Sequence, residues 1–217
     1  MNKRLTIIAV VAIALMLAGI AWAVIRLYGH DASGQPAVST EYPLLRAVPA
    51  DAAAVFCFDG TAKARGVLAD STGVLRSFLA PDDPGLRDYL SKAGEGRMVV
   101  SLHNSGSLVP LVASEIESAD SASLAPFAAL ADKAGLKTAF QDGLILASRS
   151  ETLLKSACRH LDEGTCILET PGLRDLTGRV GGAAVVFLSS RQVPKLLQAW
   201  STALVRQHTD FVRNLAD

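Results

Sequence analysis

The chain has 217 residues, of which half are hydrophobic and 6% aromatic, and its 21 basic side chains equal its 21 acidic ones. A formal net charge of zero gives no electrostatic footprint for nucleic acid. The length allows one ordinary domain with a sizeable core.

The first element is an unbroken apolar run that begins at Leu5 and ends at Ile25. Its 21 residues would rise about 31 Å as a helix, which matches a hydrocarbon core of about 30 Å. Lys3 and Arg4 precede the run, so the positive-inside rule places the N-terminus in the cytoplasm. The sequence predicts a single-pass signal-anchor in a bacterial inner membrane, with the lipid bilayer as its partner and the main domain in the periplasm.

A cleaved signal peptide is the alternative interpretation of this run. The residues around Trp22 follow the small-x-small pattern of a cleavage site after Ala23. The run is longer than the usual signal-peptide core of about 7–15 residues, which favours the uncleaved anchor. Both interpretations export the domain.

The composition divides the chain into three parts. Residues 1–28 form the cytoplasmic stub and the anchor, and residues 29–41 are small and polar, which predicts a flexible tether. Residues 42–217 predict the exported domain. Beyond the anchor, residues 29–217 hold all 21 acidic residues and, without Lys3, Arg4 and Arg26, 18 of the 21 basic ones, so nucleic acid is not an expected partner.

Alternating or continuous apolar residues between turn signals predict six strands, at 53–58, 97–103, 108–113, 136–140, 144–148 and 183–188. Helical periodicity predicts helices within 61–79, at 84–93, 122–134 and 151–161, near 172–176, and after 193. Ser150 is a suitable N-cap for the helix over 151–161. Hairpins mixed with helices indicate an α+β domain with a mixed, largely antiparallel sheet and packed helices.

Pro110 lacks a backbone N–H, so the strand over 108–113 is predicted to be an edge strand or to be bulged there. The last helix has the clearest apolar stripe of the exported part. The stripe predicts packing on the sheet or on a protein partner, and it contains Val193, Leu196, Leu197, Trp200, Leu204, Phe211 and Leu215.

Residues 53–58 resemble residues 183–188 at a spacing of 130 residues, and a turn and a helix are predicted after each. Two interpretations stay open. Two buried strands can look alike because burial demands apolar residues, or residues 183–217 begin a second repeat.

Several segments carry a resemblance to known proteins: Val48-Pro49-Ala50-Asp51 before the first strand, residues 142–148, the helix with Leu153-Leu154, and residues 161–164. In these segments the chain resembles the N-terminal part of uncharacterised bacterial membrane-anchored envelope proteins, grouped as a domain of unknown function. The resemblance implies an N-terminal anchor and a large exported region. It implies no activity.

Residues 55–61 resemble the first motif of haloacid-dehalogenase-type phosphatases, an apolar strand followed by Asp-x-Asp-Gly-Thr. Cys57 stands where that family has its nucleophilic Asp, and a thiol offers neither carboxylate chemistry nor a hard oxygen ligand for Mg²⁺. Asp59 and Gly60 are therefore predicted only to turn the chain into a helix.

Other catalytic and metal-binding patterns also fail. Ser71 lacks the first Gly of Gly-x-Ser-x-Gly and lies between helical stretches instead of at a strand-to-helix elbow. Cys158 and His160 diverge on a helix, so together with Cys166 they make a poor zinc site. An oxidising compartment would allow Cys158 and Cys166 to pair; the alternative is two unpaired thiols.

No catalytic, cofactor-binding or metal-binding residue is thus predicted, and no cofactor. The favoured function is non-catalytic binding or scaffolding in the cell envelope. The alternative is a hydrolase-like envelope enzyme whose site is assembled from residues distant in sequence. Its candidates near strand ends are Asp59, His103, Ser105 and Asp142.

Overall fold

The computed structural model describes residues 43–69, 84–105, 108–116, 120–177, 181–192 and 196. The predicted anchor and tether, the second half of the stretch 61–79, Ser71, and most of the terminal stripe lie outside the described residues. Within the described ranges, no helix combines the length and apolar character that a membrane crossing requires.

In the part of the chain that the structure describes, six strands form one antiparallel sheet in the order β4-β5-β3-β2-β1-β6. The strands are β1 (Ala54–Phe58), β2 (Met98–Asn104), β3 (Leu108–Glu115), β4 (Lys137–Gln141), β5 (Leu144–Ser148) and β6 (Ala184–Leu188). Each corresponds to a strand that the sequence predicts. The α+β class with a largely antiparallel sheet is confirmed.

Among the described residues, five α-helices connect or flank the strands: α1 (Ala62–Ala69), α2 (Pro84–Ala93), α3 (Ser121–Lys133), α4 (Glu151–Glu163) and α5 (Leu173–Thr177). The predicted cap of α4 is confirmed, because the Ser150 hydroxyl accepts a hydrogen bond from the Leu153 N–H. Such a bond satisfies one of the N–H groups that the first turn of a helix leaves without an internal partner. Gly164 ends α4 in the left-handed conformation at φ 68°.

Both faces of the sheet are covered. On one face, α1, α2 and α3 pack over alternate residues of the central strands, such as Phe56 and Val100. On the other face, α4 and a 3-10 turn at Pro43–Ala47 pack over the intervening residues, such as Val55 and Val99. Burial on both faces explains why β1 reads as a continuous apolar run.

The prediction for Pro110 was wrong in both alternatives. β3 is an interior strand between β2 and β5, and its register with β2 is unbroken through the pair Leu102–Pro110, so there is no bulge in this ladder. The ladder between β3 and β5 begins at the pair Leu111–Ser148, so Pro110 lies just beyond it. The Pro110 carbonyl accepts a bond of 2.8 Å from the Ser148 hydroxyl. Since the N and C=O of one strand residue point to the same side, the missing N–H falls where β5 has already ended.

The turn between β4 and β5 has the geometry that its sequence predicts. Asp142 and Gly143 both have positive φ angles, of 53° and 75°. Two such residues in succession form the tight hairpin turn whose twist matches that of its strands. The Arg46 guanidinium donates to the Asp142 carbonyl at 2.9 Å, which ties the 3-10 turn to this hairpin.

Candidate functional site

The two edge strands of the sheet differ in chemistry. At one edge, β4 contains Lys137 and Gln141 and makes polar contacts to α4: Lys137 pairs with Glu151, and Gln141 donates to Asp162. Hydrogen bonds from Lys137 and then Lys155 lower the pKa of Glu151 to about 2. Charged side chains on an edge oppose pairing with another strand. We therefore call the β4 edge guarded, meaning that charged side chains protect it against pairing with another strand.

At the other edge, β6 has the sequence Ala-Val-Val-Phe-Leu, without a charge, a proline or a glycine. Val186 is 47% exposed and Leu188 56% exposed, whereas their β1 neighbours on the same face, Phe56 and Ala54, are buried. No strand of the described residues pairs with the outer side of β6. An apolar, unguarded edge is a template for strand pairing.

The hydrogen bonds to β1 fix which backbone groups of β6 face outward. The Asp59 N–H donates to the Ala183 carbonyl, and the Ser189 N–H donates to the Ala53 carbonyl. Successive residues of a strand point their N–H and C=O groups to opposite sides. Val185 and Phe187 therefore bond to β1. The outward-facing groups belong to Ala184, Val186 and Leu188, and we call these three residues the open edge.

A second candidate is a chain of hydrogen bonds on β2. The Ser101 hydroxyl lies 2.9 Å from Nε2 of His103, and Nδ1 of His103 lies 2.9 Å from Oδ1 of Asp51. Ser101 and His103 share one face because they are two residues apart on a strand. Asp51 comes from the turn before β1. The connectivity is that of a Ser-His-Asp catalytic triad.

The burial of this Ser101–His103–Asp51 chain is the reverse of what a hydrolase needs. Ser101 is 0% exposed and His103 1%, while the Asp51 side chain is 69% exposed. A nucleophile must face the substrate and its orienting acid can be buried, yet here the acid faces solvent. The geometry suits a structural role, in which Ser101 and Asp51 satisfy both ring nitrogens of a histidine buried within the sheet.

The hydrogen bond from His103 lowers the pKa of Asp51, more than its partial burial raises it. The positive charge of a protonated His103 acts in the same direction, and His160 adds a smaller contribution. The carboxylate is thus favoured in the folded state. Because the Ser101 hydroxyl can both donate and accept, the chain stays satisfied whether the imidazole is neutral or charged.

The four candidates for an enzyme site do not come together. His103 and Ser105 lie at the end of β2 that pairs with Ala54, whereas Asp59 follows the other end of β1. Asp142 follows β4 at the same end of the sheet as Asp59, since β5 begins opposite Glu115. From Met98 to His103 the strand rises about 17 Å. Sequence reasoning also overlooked Asp51 and Ser101, although the spacing of Ser101 and His103 signalled a shared face.

Asp59 makes a turn, as its sequence predicts. Its Oδ1 accepts bonds from the N–H and the hydroxyl of Thr61, just before α1 begins. Gly60 has φ +76°, and a Cβ there would lie 2.7 Å from the Gly96 carbonyl carbon. Burial raises the pKa of the Cys57 thiol to about 12, so this thiol stays protonated and unreactive.

The remaining cysteines occupy the region around α4. Cys158 and Cys166 are both unpaired in the structure, as is Cys57. Nδ1 of His160 lies 2.8 Å from the Thr165 hydroxyl. A depression of about 520 Å³ between α4 and β4 is lined by Cys158 and by charged side chains that include the Lys137–Glu151 pair. The ion pairs that line this depression are the ones that protect the guarded β4 edge.

Of the predicted terminal stripe, only Leu196 is described. It is 2% exposed and belongs to the cluster under α1, α2 and α3. The other stripe residues lie outside the described residues.

Comparisons with known proteins do not assign the chain to a family. No family model, no curated protein and no solved structure matches the chain.

Proposed function

We propose that this protein is a membrane-anchored domain of the bacterial envelope that acts without catalysis, by binding an extended protein segment at the open edge. The apolar run from Leu5 to Ile25 supports the anchor and the periplasmic location of the domain. The unguarded chemistry of β6 supports binding by strand addition, in which main-chain hydrogen bonds give affinity and side-chain contacts give specificity.

The observation that carries the proposal is the contrast between the two edges. A chain that only needed to avoid aggregation would protect both of them, as β4 is protected by Lys137 and its partner on α4. Val186 and Leu188 instead leave apolar side chains in solvent beside outward-facing backbone groups. Unpaired strand backbone without a nearby charge or proline favours pairing with another strand.

Site-specific photo-cross-linking in living cells tests this function. A photoreactive residue at Leu188 should give an adduct of defined mass, and Val186→Lys should abolish that adduct. The matched control is a photoreactive residue at Phe140, which is 41% exposed on the guarded β4 edge. Equal adducts at positions 140 and 188, or none at 188, would contradict the proposal.

The second candidate function is a serine hydrolase, which the connectivity of Ser101, His103 and Asp51 favours. The buried hydroxyl argues against it. We expect a fluorophosphonate probe to leave Ser101 unlabelled in the folded protein. Labelling that requires both Ser101 and His103, and that heat denaturation abolishes, would make the enzyme the better proposal.

A further inference from the structure

The pairing of β1 with β6 contains a local two-fold symmetry between the two segments that resemble each other in sequence. With the offset of 130 residues, Val186 is the equivalent of Phe56, and these two residues pair with each other. Ala54 pairs with Leu188, the equivalent of Phe58, and Phe58 pairs with Ala184, the equivalent of Ala54. A local two-fold rotation therefore places each residue of one segment on its equivalent in the other.

The flanking hydrogen bonds obey the same symmetry. The Asp59 N–H donates to the Ala183 carbonyl at 3.1 Å, and the equivalent Ser189 N–H donates to the equivalent Ala53 carbonyl at 3.0 Å. A two-fold axis between antiparallel neighbours runs perpendicular to the sheet, so it keeps equivalent side chains on the same face. Sequence similarity caused by burial alone does not require such a register.

The symmetry predicts what belongs on the far side of β6. On the far side of β1 lies β2, paired antiparallel with Val100 opposite Phe56. The side chains of Met98, Val100 and Leu102 all join the apolar cluster on that face. With β2 in place, Phe56 is 4% exposed and Phe58 2%, whereas their equivalents Val186 and Leu188 are 47% and 56% exposed.

From this we infer that the open edge accepts an antiparallel strand with the side-chain pattern of β2, apolar at three alternate positions, whose central apolar residue lies opposite Val186. The inference rests on the proposed function and names its partner: a protein segment that completes the symmetric sheet. The guarded β4 edge has no such equivalent among the described strands.

A peptide of residues 97–104, extended by lysines for solubility, provides the probe. The full chain in mild detergent carries Val186→Cys, and three peptides carry a cysteine, activated as its mixed disulfide with 2-nitro-5-thiobenzoate, in place of Val99, Val100 or Ser101. The thiolate at position 186 attacks the peptide sulfur, and the aromatic thiolate leaves. The symmetric register predicts a mixed disulfide with the peptide substituted at position 100. Neighbouring strand residues point to opposite faces, so the other two peptides should react at least about tenfold less.

Two controls separate specific pairing from general stickiness. The unmodified chain reports on reaction at its own Cys57, Cys158 and Cys166. A scrambled peptide that breaks the alternation of apolar residues should compete at least about tenfold more weakly than the peptide of residues 97–104, a difference of about 1.4 kcal/mol.

The outcomes distinguish this inference from the function on which it rests. Equal reaction at all three peptide positions, or no reaction, would overturn the inferred register and partner. A disulfide between position 186 of two chains as the main product would also overturn it, because the occupant would be a second copy. In each case the photo-cross-linking at Leu188 would still decide the proposed function.

Discussion

The hydrogen-bonded chain of Ser101, His103 and Asp51 has the connectivity of a catalytic site but the burial of a structural one. Bond distances of 2.9 Å and the order Ser-His-Asp match a catalytic triad. In a hydrolase the serine would be exposed, whereas here the serine is buried and the aspartate is exposed. Elsewhere on its face β2 packs apolar residues such as Val99. A histidine in that position needs a partner for each nitrogen, and the chain supplies both.

Ser101→Ala tests the structural role of this chain. The change removes the partner of Nε2 and leaves a buried nitrogen unsatisfied, which should lower the free energy of unfolding by about 1–3 kcal/mol. Urea denaturation measures the loss. Ser91→Ala, at an exposed position on α2, is the control and should stay within about 0.5 kcal/mol. A loss no larger than that of the control would contradict the structural role.

The lowered pKa of Asp51 makes a prediction about pH. A carboxyl group whose pKa falls on folding adds stability above its unfolded pKa, about 3.9, and this stability is lost as the pH drops through the folded pKa. Asp51→Asn should therefore destabilise the protein near pH 6, and the difference from the native protein should shrink as the pH falls below about 3.9. Unfolding titrations of both proteins measure it. A difference that is constant with pH would show that the charge of Asp51 is irrelevant.

At the scale of elements, local sequence signals proved reliable. All six strands, the Ser150 cap and the Asp142–Gly143 turn could be predicted, because periodicity, capping and turn chemistry act over a few residues. The order of the strands could not be predicted. Pro110 suggested an edge strand, but β3 is interior. It extends past the end of β5 at Pro110, so no hydrogen bond to β5 is lost there. The continuous apolar sequence of β6 likewise suggested a central strand, although β6 lies at an edge of the sheet.

Two glycines around α1 differ in a way that can be tested. Gly60→Ala would place a Cβ 2.7 Å from the Gly96 carbonyl carbon at a positive φ, and should destabilise the protein by at least about 1 kcal/mol. Gly66 lies inside α1 with nothing within 4 Å of a Cβ, so Gly66→Ala should stabilise it by about 0.5–1 kcal/mol. Thermal denaturation of both variants measures these effects. The same sign of effect in both would contradict the turn geometry.

At the scale of the whole molecule, the candidate site could not be predicted because it depends on relations between distant segments. Asp51 and His103 are 52 residues apart and meet only once the sheet has formed. The open edge depends on which strands remain unpaired, a property of the sheet and not of any one strand. The similarity of residues 53–58 and 183–188 was visible in the sequence, but its two-fold register appears only in the pairing of β1 with β6.

The anchor makes a prediction about location. With an uncleaved apolar run from Leu5 to Ile25, the native protein should remain in the membrane fraction after extraction with alkaline carbonate, and protease added to spheroplasts should digest the domain. A variant with Leu15→Arg and Leu17→Arg in that run is the control and should not be retained in the membrane, because each arginine at the helix centre costs about 3 kcal/mol. Recovery of the native protein from the cytosol would contradict the proposed location.

Amide hydrogen exchange of β6 tests the central claim most directly. In the free protein, the N–H groups of Ala184, Val186 and Leu188 should exchange rapidly while those of Val185 and Phe187, bonded to β1, are protected. Adding the peptide of residues 97–104 should slow the first three and leave the other two unchanged. Protection of Ala184, Val186 and Leu188 before any peptide is added would show that the edge is already covered, and would contradict the account.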